Sequence, residues 1–305
     1  MKHYNAIVIG GGPAGMSAAL NLKRMGKSVL IIEKETFGGQ IATSPRVENI
    51  PGFKDISGSE FSELFFEQIT NVGVDFELEE VTKVEKEGDL FKVTTNYNEY
   101  QSDVVIIASG VTHRKMGIAR EDELVGHGIS YCAVCDGAFF KGMDVAVIGD
   151  ANSALQYALN LTNYCNKVYL CMLFDRFFAD SVLVERCLSN EKIVVTKEIS
   201  LVELEGDKDL TGLKFKNTKT GELVHFDVKG CFIAIGQIPH NELFENLVTL
   251  EKGYIVTDEF KRTEVDGLYA IGDCTKKAYR QVSTATSDGL IAAVNASQYL
   301  DQRNK

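Results

Sequence analysis

The chain has 305 residues, of which 45% are apolar and 25% charged, and its formal net charge is −11. This composition supports a soluble core, the length is typical of two domains, and the acidic charge argues against a nucleic-acid partner. The N-terminal segment has no signal-peptide pattern, and no run of about 18 apolar residues predicts a membrane span. We therefore predict a cytoplasmic protein with neither a nucleic-acid nor a membrane partner.

Two strand–helix–strand units are predicted, one near the N-terminus and one in the middle of the chain. Their elements are strand 5–10, helix Ala14–Arg24 and strand 28–33, then strand 144–149, helix 152–163 and strand 167–171. The other predicted elements are strands 90–95, 103–109, 213–217, 231–235 and 268–273 and a helix from about Ser283 to Leu300. A repeated unit of this kind predicts two nucleotide-binding folds. We place the second as an insertion, 114–240, between 1–113 and 241–305.

The turn after the first strand carries a G-x-G-x-x-G motif. Gly10 permits the tight turn, Gly12 lets the backbone approach a pyrophosphate, and Gly15 allows close packing of helix and strand. The helix N-terminus then offers free N–H groups to the anion, and Glu33 can accept hydrogen bonds from a ribose hydroxyl. The residues predicted to line this dinucleotide site are Gly10, Gly12, Pro13, Ala14, Gly15 and Glu33.

Cys132 and Cys135 form a C-x-x-C motif at the start of a predicted helix. The spacing allows a small disulfide ring, and the helix N-terminus lowers the thiol pKa and so favours the attacking thiolate. In a reducing compartment such a pair is redox-active or binds a metal. A zinc site needs two more ligands, but the other cysteines are scattered, and His113 and His127 lack ligand spacing. We predict no metal; a zinc site and an inert buried pair are the alternatives.

Five separated motifs resemble the low-molecular-weight thioredoxin reductase family, over Ala6 to Leu300. They are Phe37-Gly38-Gly39-Gln40, Glu48-Asn49-Ile50-Pro51-Gly52, Cys132-Ala133-Val134-Cys135-Asp136, Gly272-Asp273-Cys274, and Arg280-Gln281-Val282 with Ala285 and Asp288-Gly289. The resemblance implies an α/β fold with two Rossmann-like nucleotide-binding domains, FAD/NAD(P)-binding and three-layer β-β-α. It makes 1–113 with 241–305 the FAD-binding domain and 114–240 an NAD(P)H-like domain that carries the redox pair.

The resemblance also assigns cofactor roles, with one FAD per subunit. It places Asp273 at the ribityl chain with Gln40, Asn49 and Gln281 nearby, and the segment from Arg280 to Val282 along the isoalloxazine. The further FAD contacts that it implies are Gly39 and Gly272. On its own pattern, the Gly272–Asp273 pair is more typical of an ordinary turn than of a ligand contact.

Asp136 directly follows the redox pair. A carboxylate there can shuttle a proton between thiol and thiolate, although an acid in this place is also typical of a helix N-terminus. The resemblance implies that Asp136 is the acid–base catalyst, that Cys135 faces the flavin and that Cys132 attacks the protein substrate. The disulfide must lie against the flavin to be reduced but must reach solvent to reduce a partner protein. We therefore expect the inserted domain to rotate on linkers near His113–Lys115 and Gln237–Asn241.

The second nucleotide motif departs from the family pattern. NADPH-dependent members carry G-x-G-x-x-A here, whereas Ala151 replaces the second glycine and Asp150 adds a carboxylate to the loop. Where those members have His-Arg-Arg and a further Arg, this chain has Met172, Leu173, Phe174 and Phe178. Charge-assisted hydrogen bonds contribute about 1.5–3 kcal/mol each, so the loss of these arginines could weaken binding by about three orders of magnitude.

We therefore predict that NADPH does not bind productively. Arg176 is a candidate to replace part of the lost phosphate contacts. NADH has no 2′-phosphate, so the missing arginines do not count against it, but Ala151 and Asp150 still do. The alternative is a variant site that binds nicotinamide coenzymes weakly. Chains with both motifs degraded resemble the ferredoxin-dependent flavin thioredoxin reductases. This implies that FAD and the Cys132–Cys135 pair reduce thioredoxin with electrons from ferredoxin or a similar low-potential donor such as flavodoxin or a reduced deazaflavin.

Other functions stay open at this point. They are an NAD(P)H-dependent thioredoxin reductase, a non-enzymatic flavin redox sensor, and a reductase that acts on a peroxiredoxin-type partner. An acidic ferredoxin would need a basic docking patch, for which the candidates are Lys276, Lys277 and Arg280, or Lys23, Arg24 and Lys27. A homodimer is implied by the resemblance alone.

Overall fold

The structure, a computed structural model, describes residues 1–303, in which there are six α-helices, four short 3₁₀ helices and nineteen strands. The helices are α1 Pro13–Arg24, α2 Gly58–Asn71, α3 Ala133–Asp136, α4 Asn152–Leu161, α5 Ser181–Leu188 and α6 Val282–Arg303. The first strands are β1 Lys2–Ile9, β2 Val29–Glu33, β3 Asp75–Leu78, β4 Val81–Glu87, β5 Leu90–Thr95, β6 Glu99–Ile107, β7 Val111–His113, β8 Ile129–Ser130, β9 Asp144–Ile148 and β10 Lys167–Cys171. The later strands are β11 Ile193–Thr196, β12 Ile199–Gly206, β13 Leu210–Asn217, β14 Leu223–Phe226, β15 Gly230–Ile233, β16 Gln237–Pro239, β17 Leu250–Glu251, β18 Tyr254–Ile255 and β19 Leu268–Ala270.

The chain divides into two compact units. One comprises 1–112 and the described residues from Ile238 onward, and the other comprises 113–237. The predicted insertion, 114–240, starts and ends slightly later than this second unit. The two crossing segments, β7 and β16, pair with each other as a two-stranded sheet. Within residues 1–303, no helix combines the length and the apolar character that a membrane span requires.

The first unit is built on a seven-stranded sheet in the order β3-β2-β1-β6-β5-β4, with β19 also paired to β6. Strand β1 lies parallel between β2 and β6, and both faces of its apolar half are covered. Because side chains alternate across a strand, Val8 packs in the cluster on the helical face and Ile7 in the cluster on the other face. This explains why the strand reads as a continuous apolar run.

The helical face of this sheet carries α1 and α6, which pack closely. A Cβ at Gly289 of α6 would lie 2.4 Å from the Ala14 carbonyl oxygen of α1. Ser17 of α1 also donates to the Thr286 carbonyl of α6, at 2.7 Å. The contact therefore fixes the N-terminal turn of α1 against the start of α6, and both ends contribute to the site described below.

The second unit repeats the pattern on a smaller scale. Its parallel five-stranded sheet has the order β11-β10-β9-β15-β8, and an antiparallel sheet, β12-β13-β14, packs beside it through Leu201, Leu213 and Phe215. Strand β9, helix α4 and strand β10 match the second predicted strand–helix–strand unit. The predicted α/β fold with two Rossmann-like units is confirmed.

Some elements differ from the predictions. The strand predicted at 268–273 ends at Ala270, because Gly272 has φ +74° and begins a short 3₁₀ turn, Gly272–Cys274. Helix α2 was not predicted at all. Ser57 caps it by accepting from the Glu60 N–H at 3.1 Å, a signal that is present in the sequence.

Candidate functional site

The glycine turn between β1 and α1 has room for a ligand on one side only. Gly10 has φ +110°, and a Cβ there would lie 2.2 Å from the Ala108 carbonyl oxygen; a Cβ at Gly15 would lie 1.9 Å from the Gly10 oxygen. A Cβ at Gly12 would meet nothing within 4 Å. Gly10 and Gly15 are thus required by packing, whereas Gly12 faces open space at the start of the helix.

This difference gives a matched pair of variants. Gly10→Ala should lower the midpoint of thermal unfolding by about 4 °C or more, because it adds both left-handed strain and a backbone clash. Gly12→Ala should leave the midpoint unchanged and weaken flavin binding instead. Scanning calorimetry and flavin titration of both proteins check this; an equal loss of stability in the two variants would contradict it.

The N-terminus of α1 is open to an anion. Gly12 is its N-cap residue, Pro13 occupies the first turn, and no side chain caps the helix. The first N–H groups of a helix have no partner within it, and their positive end attracts phosphate. The Gly11 N–H, in contrast, donates to Glu33 Oε2 at 2.7 Å, which holds the acid of β2 beside the turn.

Two further glycines close around this turn. A Cβ at Gly39, whose φ is +60°, would lie 3.2 Å from the Gly12 Cα, and a Cβ at Gly272 would lie 2.9 Å from the Ala14 Cβ. The segments that begin at 39 and at 272 therefore meet α1 at its N-terminus. Residues that are far apart in the sequence form a single cradle.

Asp273 presents an unpaired oxygen in this cradle. Its Oδ1 is buried and has no hydrogen-bond partner among the described residues, and burial raises the pKa of the carboxyl above its usual range. Lys277 Nζ lies 3.9 Å away, beyond hydrogen-bond distance. A buried polar atom of this kind normally has a partner, so Asp273 is suited to accept from a hydroxyl of a ligand.

Arg280 braces the turn that carries Asp273. Its guanidinium donates to the carbonyls of Asp273, Thr275 and Lys277 at 3.2–3.4 Å and stacks 4.3 Å above the Tyr254 ring. Arg280 thus acts on the backbone of the turn rather than as a free cation.

The first predicted docking patch is therefore not supported. Lys276 pairs with Glu251 at 2.5 Å, and Lys277 is held by Asp288 at 2.8 Å. Neither these lysines nor Arg280 presents an unoccupied positive group. In the second candidate patch, Lys27 pairs with Asp301, which leaves the exposed end of α1 around Arg24 as its cationic part.

The remaining predicted cofactor residues make contacts within the first unit. Asn49 donates to Gln281 Oε1 at 3.1 Å, and Gln40 donates to the Val111 carbonyl. Val282 begins α6 and borders an apolar cleft of about 410 Å³. The cleft is lined by Ile50, Pro51, Phe53, Phe61, Leu64, Phe65, Gln68, Val282, Ser283 and Thr286.

These features fit FAD. The uncapped helix with the open Gly12 suits a pyrophosphate, Glu33 suits a ribose, and the orphaned oxygen of Asp273 suits a polyhydroxyl chain. Each of these observations calls for a ligand group of a different kind, and a flavin dinucleotide supplies all of them.

The redox pair lies in the second unit. Cys132 and Cys135 are joined as a disulfide at the start of α3, with their Cα atoms 5.3 Å apart. The Cys135 N–H points at Cys132 Sγ, at 3.2 Å, so the helix start already solvates the sulfur that would carry negative charge. Val134, between the two cysteines, is 59% exposed.

Asp136 is partly buried and directly follows the second cysteine of this disulfide. Burial raises the pKa of its carboxyl above the usual range, while a 2.6 Å hydrogen bond from the Ser130 hydroxyl opposes the rise. The Ser130 Oγ also accepts from the Cys132 N–H at 3.0 Å. One hydroxyl thus links the acid to the backbone of the first cysteine, and a protonated Asp136 can supply a proton there.

The second glycine turn, before α4, is crowded by acids. Gly149 has φ +147°, and a Cβ there would lie 2.5 Å from the Ala234 oxygen, so this glycine is required by packing. Phe178 N donates to the Asp150 carbonyl at 2.8 Å, and Asn152 donates to Asp180 Oδ2 at 3.0 Å. The Asp180 carboxylate therefore lies at a helix start that would otherwise attract phosphate, and Asp150 is a second acid directly before the N-cap residue Ala151.

An apolar surface borders this turn. Leu173, Phe174 and Phe178 are each 49% exposed, and the two rings meet edge-on with centroids 5.5 Å apart. The Arg176 guanidinium stacks 4.9 Å above the Phe178 ring, and Met172 is fully buried. No cation replaces the arginines at the positions where the resemblance expects them.

Two site residues were missed by the sequence analysis. Ser130 precedes the redox pair by two positions and carried no pattern that set it apart. Asp288 belongs to a family motif, but no role was predicted for it. Its side chain is 8% exposed and contacts two lysines and the Gly272 N–H. A signal existed for it, because it lies at helical spacing between the buried Ala285 and Ala292 and so falls on the apolar face of α6.

The chain was compared with a family model, with related sequences and with solved structures, and the three comparisons agree with one another. A model of the pyridine nucleotide-disulphide oxidoreductase family matches residues 4–289. The chain is 40% identical to a thioredoxin reductase of Bacillus subtilis over 303 residues, 99% of this chain and 96% of that protein. It superposes on the structure of a thioredoxin reductase from Streptococcus pyogenes with a TM-score of 0.95, at 36% identity over 98% of this chain and 99% of the other. A ferredoxin-flavin thioredoxin reductase from Clostridium acetobutylicum matches at 31% identity and a TM-score of 0.54, over the whole length of both chains.

Proposed function

The chain belongs to the thioredoxin reductases of the pyridine nucleotide-disulphide oxidoreductase family, and on this premise we propose that it reduces thioredoxin with electrons from a reduced ferredoxin rather than from NADPH. The general activity, a flavin disulfide oxidoreductase, follows from the family. The choice of ferredoxin over NADPH as the electron donor is our proposal, and it is based on the residues around the second glycine turn. FAD, one per subunit, is the cofactor that the first unit fits.

The reaction can be written with balanced electrons. Reduction of the Cys132–Cys135 disulfide takes two electrons and two protons and yields two thiols. When bound, FAD would supply one-electron uptake and two-electron transfer, so two reduced ferredoxins would serve one disulfide. The Cys132 thiolate then attacks a sulfur of the thioredoxin disulfide, and Cys135 attacks Cys132 to release reduced thioredoxin and restore the ring.

Asp136 is proposed as the group that moves protons during this exchange. Because its pKa is raised, the acid keeps its proton to a higher pH than a free aspartate and loses it as the pH rises through the raised value. The Ser130 hydroxyl bond stabilises the carboxylate and so holds the pKa lower than burial alone would.

Removal of the Ser130 hydroxyl should therefore shift the pH dependence of turnover. In Ser130→Ala the pKa of Asp136 should rise further, so the alkaline limb of the kcat/KM profile for thioredoxin should move to higher pH. Ser130→Thr keeps the hydroxyl and should leave the profile in place. An unchanged profile in Ser130→Ala would argue against Asp136 as the proton donor.

The observation that carries the donor proposal is the replacement of cations by apolar groups and acids around the second turn. A 2′-phosphate needs cationic hydrogen-bond donors, but Leu173, Phe174 and Phe178 offer none, and Arg176 is stacked on a ring. The Asp180 carboxylate, which accepts from Asn152, places negative charge at the start of α4, where the pyrophosphate would bind, and Asp150 is a second acid one residue before the N-cap. Binding of NADPH is thus disfavoured at both of its phosphate groups.

A low-potential protein donor would explain how the flavin is reduced without the cationic contacts that NADPH needs. Of the three relatives named above, only the Clostridium acetobutylicum protein has a donor in its name, and that donor is ferredoxin. The net charge of −11 makes a local positive surface necessary for an acidic donor, and the exposed end of α1 around Arg24 is the candidate that the structure leaves.

An anaerobic titration tests the proposal. The flavin of the purified protein is mixed with NADPH, NADH or enzymatically reduced ferredoxin, and reduction of thioredoxin is followed in parallel. We expect rapid bleaching and multiple turnovers with ferredoxin only. Rapid bleaching by micromolar NADPH would replace the donor proposal with an NADPH-dependent enzyme, and bleaching by ferredoxin without turnover of thioredoxin would favour a redox sensor.

A homodimer is a further part of this proposal. The apolar cleft of about 410 Å³ beside Val282 includes Phe53 and Leu64, which are 37% and 46% exposed. Exposed apolar surface of this kind is typical of a protein interface. Light scattering of Leu64→Glu and of the unchanged protein should show a dimer for the latter only.

A further inference from the structure

Asp288 is a buried acid of α6 that lies between two lysines. Its Oδ1 accepts from Lys261 Nζ at 2.9 Å and its Oδ2 from Lys277 Nζ at 2.8 Å. The same Oδ2 accepts from the Gly272 N–H at 3.1 Å, which ties α6 to the turn that carries Asp273. One carboxylate thus forms ion pairs with two ammonium groups at the edge of the candidate FAD site.

Lys277 lies between two acids, one of which holds it. Its Nζ is 2.8 Å from Asp288 Oδ2 but 3.9 Å from Asp273 Oδ1, and Oδ1 has no hydrogen-bond partner among the described residues. The Lys277 side chain is only 14% exposed, so little water screens its charge from either acid. A lysine stem is flexible, and without Asp288 the ammonium needs to move by about 1 Å to bond Asp273.

We propose that Asp288 is a positioning residue for the FAD site: it holds the Lys277 ammonium and so keeps Asp273 Oδ1 free to accept from a hydroxyl of the ribityl chain. This rests on the proposed function, in which Asp273 holds that chain. A direct hydrogen bond from the Lys277 ammonium to Asp273 would occupy Oδ1, which the 3.9 Å separation leaves unbonded. Charge-assisted hydrogen bonds are stronger than those of a neutral hydroxyl, so the ligand would have to compete with a better donor.

The test is the FAD dissociation constant of the full-length chain, measured by flavin fluorescence as the holoprotein is diluted. Asp288→Asn keeps the shape of the side chain and an oxygen for the Gly272 N–H, but it removes the charge that holds Lys277. The dissociation constant should rise about tenfold or more. With Lys277→Met added, it should return to within about twofold of the wild-type value, because the competing cation is gone.

Lys261→Met in the Asp288→Asn background is the matched control. Lys261 contacts the same acid, but Lys277 is the lysine that also lies 3.9 Å from Asp273. This double variant should bind FAD as weakly as Asp288→Asn alone. The proposal is overturned if Asp288→Asn binds FAD normally, if Lys277→Met fails to restore binding, or if Lys261→Met restores it equally well.

Thermal unfolding of each flavin-free protein separates misfolding from weak binding. Should Asp288→Asn not fold, Asp288→Ser takes its place, and the same rescue by Lys277→Met is required. If the wild-type chain does not bind FAD, or if Asp273→Asn binds it equally tightly, the proposed flavin site is wrong and the role of Asp288 fails with it. Tight binding by the wild type together with a failed rescue refutes the role of Asp288 alone.

Discussion

Arginines placed on the apolar surface beside the second glycine turn should turn NADPH into an effective reductant of the flavin. The variant combines Ala151→Gly with Leu173→Arg, Phe174→Arg and Phe178→Arg. Two or more new charge-assisted bonds to phosphate should tighten NADPH binding by about two to three orders of magnitude. The three apolar side chains are each half exposed, so arginines there need not be buried, whereas Met172 is fully buried and stays unchanged.

The matched control carries Ala151→Gly with glutamine at the same three positions. It removes the same apolar groups and the same methyl group but adds no charge, so it should gain little. NADPH binding is measured by isothermal titration and the rate of flavin reduction by anaerobic stopped flow. If the unchanged protein already binds NADPH at micromolar concentration, or if the glutamine variant gains as much as the arginine variant, phosphate charge is not what the site lacks.

Loss of either cysteine of the redox pair should abolish thioredoxin reduction, by about three orders of magnitude or more. A serine cannot form the disulfide or supply a thiolate. The two variants should nevertheless differ. Cys135→Ser leaves Cys132 free to attack oxidised thioredoxin but removes the thiol that resolves the product, so a mixed disulfide should accumulate. Cys132→Ser should give none.

Cys187→Ala is the control for these variants. Cys187 is fully buried in the same unit, and burial raises the pKa of its thiol to about 11, so it stays protonated at neutral pH and cannot take part. Turnover of this variant should match that of the unchanged protein. Non-reducing mass spectrometry detects the mixed disulfide, and its appearance in Cys132→Ser rather than Cys135→Ser would reverse the proposed roles.

Several features of this protein were determined by short stretches of sequence. The turn at Gly10 and the helix after it follow from a local motif, because the left-handed φ of +110° is open to glycine and the helix begins at Pro13. The Cys132–Cys135 disulfide needs only the spacing of two residues at a helix start. The missing arginines and the extra acid Asp150 of the second turn are also read directly from residue identity, whereas the structure added Asp180 and the stacked Arg176.

Tertiary structure alone decided what the charged side chains do. Lys277 and Arg280 read as a cationic patch in the sequence, but Asp288 and the backbone of the 273–277 turn engage them. The reason is that an ion pair depends on distance and burial, and here both are set by how the turn from Gly272 onward packs against α6, which residue identity alone does not show. The hydroxyl of Ser130 met the Asp136 carboxylate in the same way, through the fold of β8 against α3.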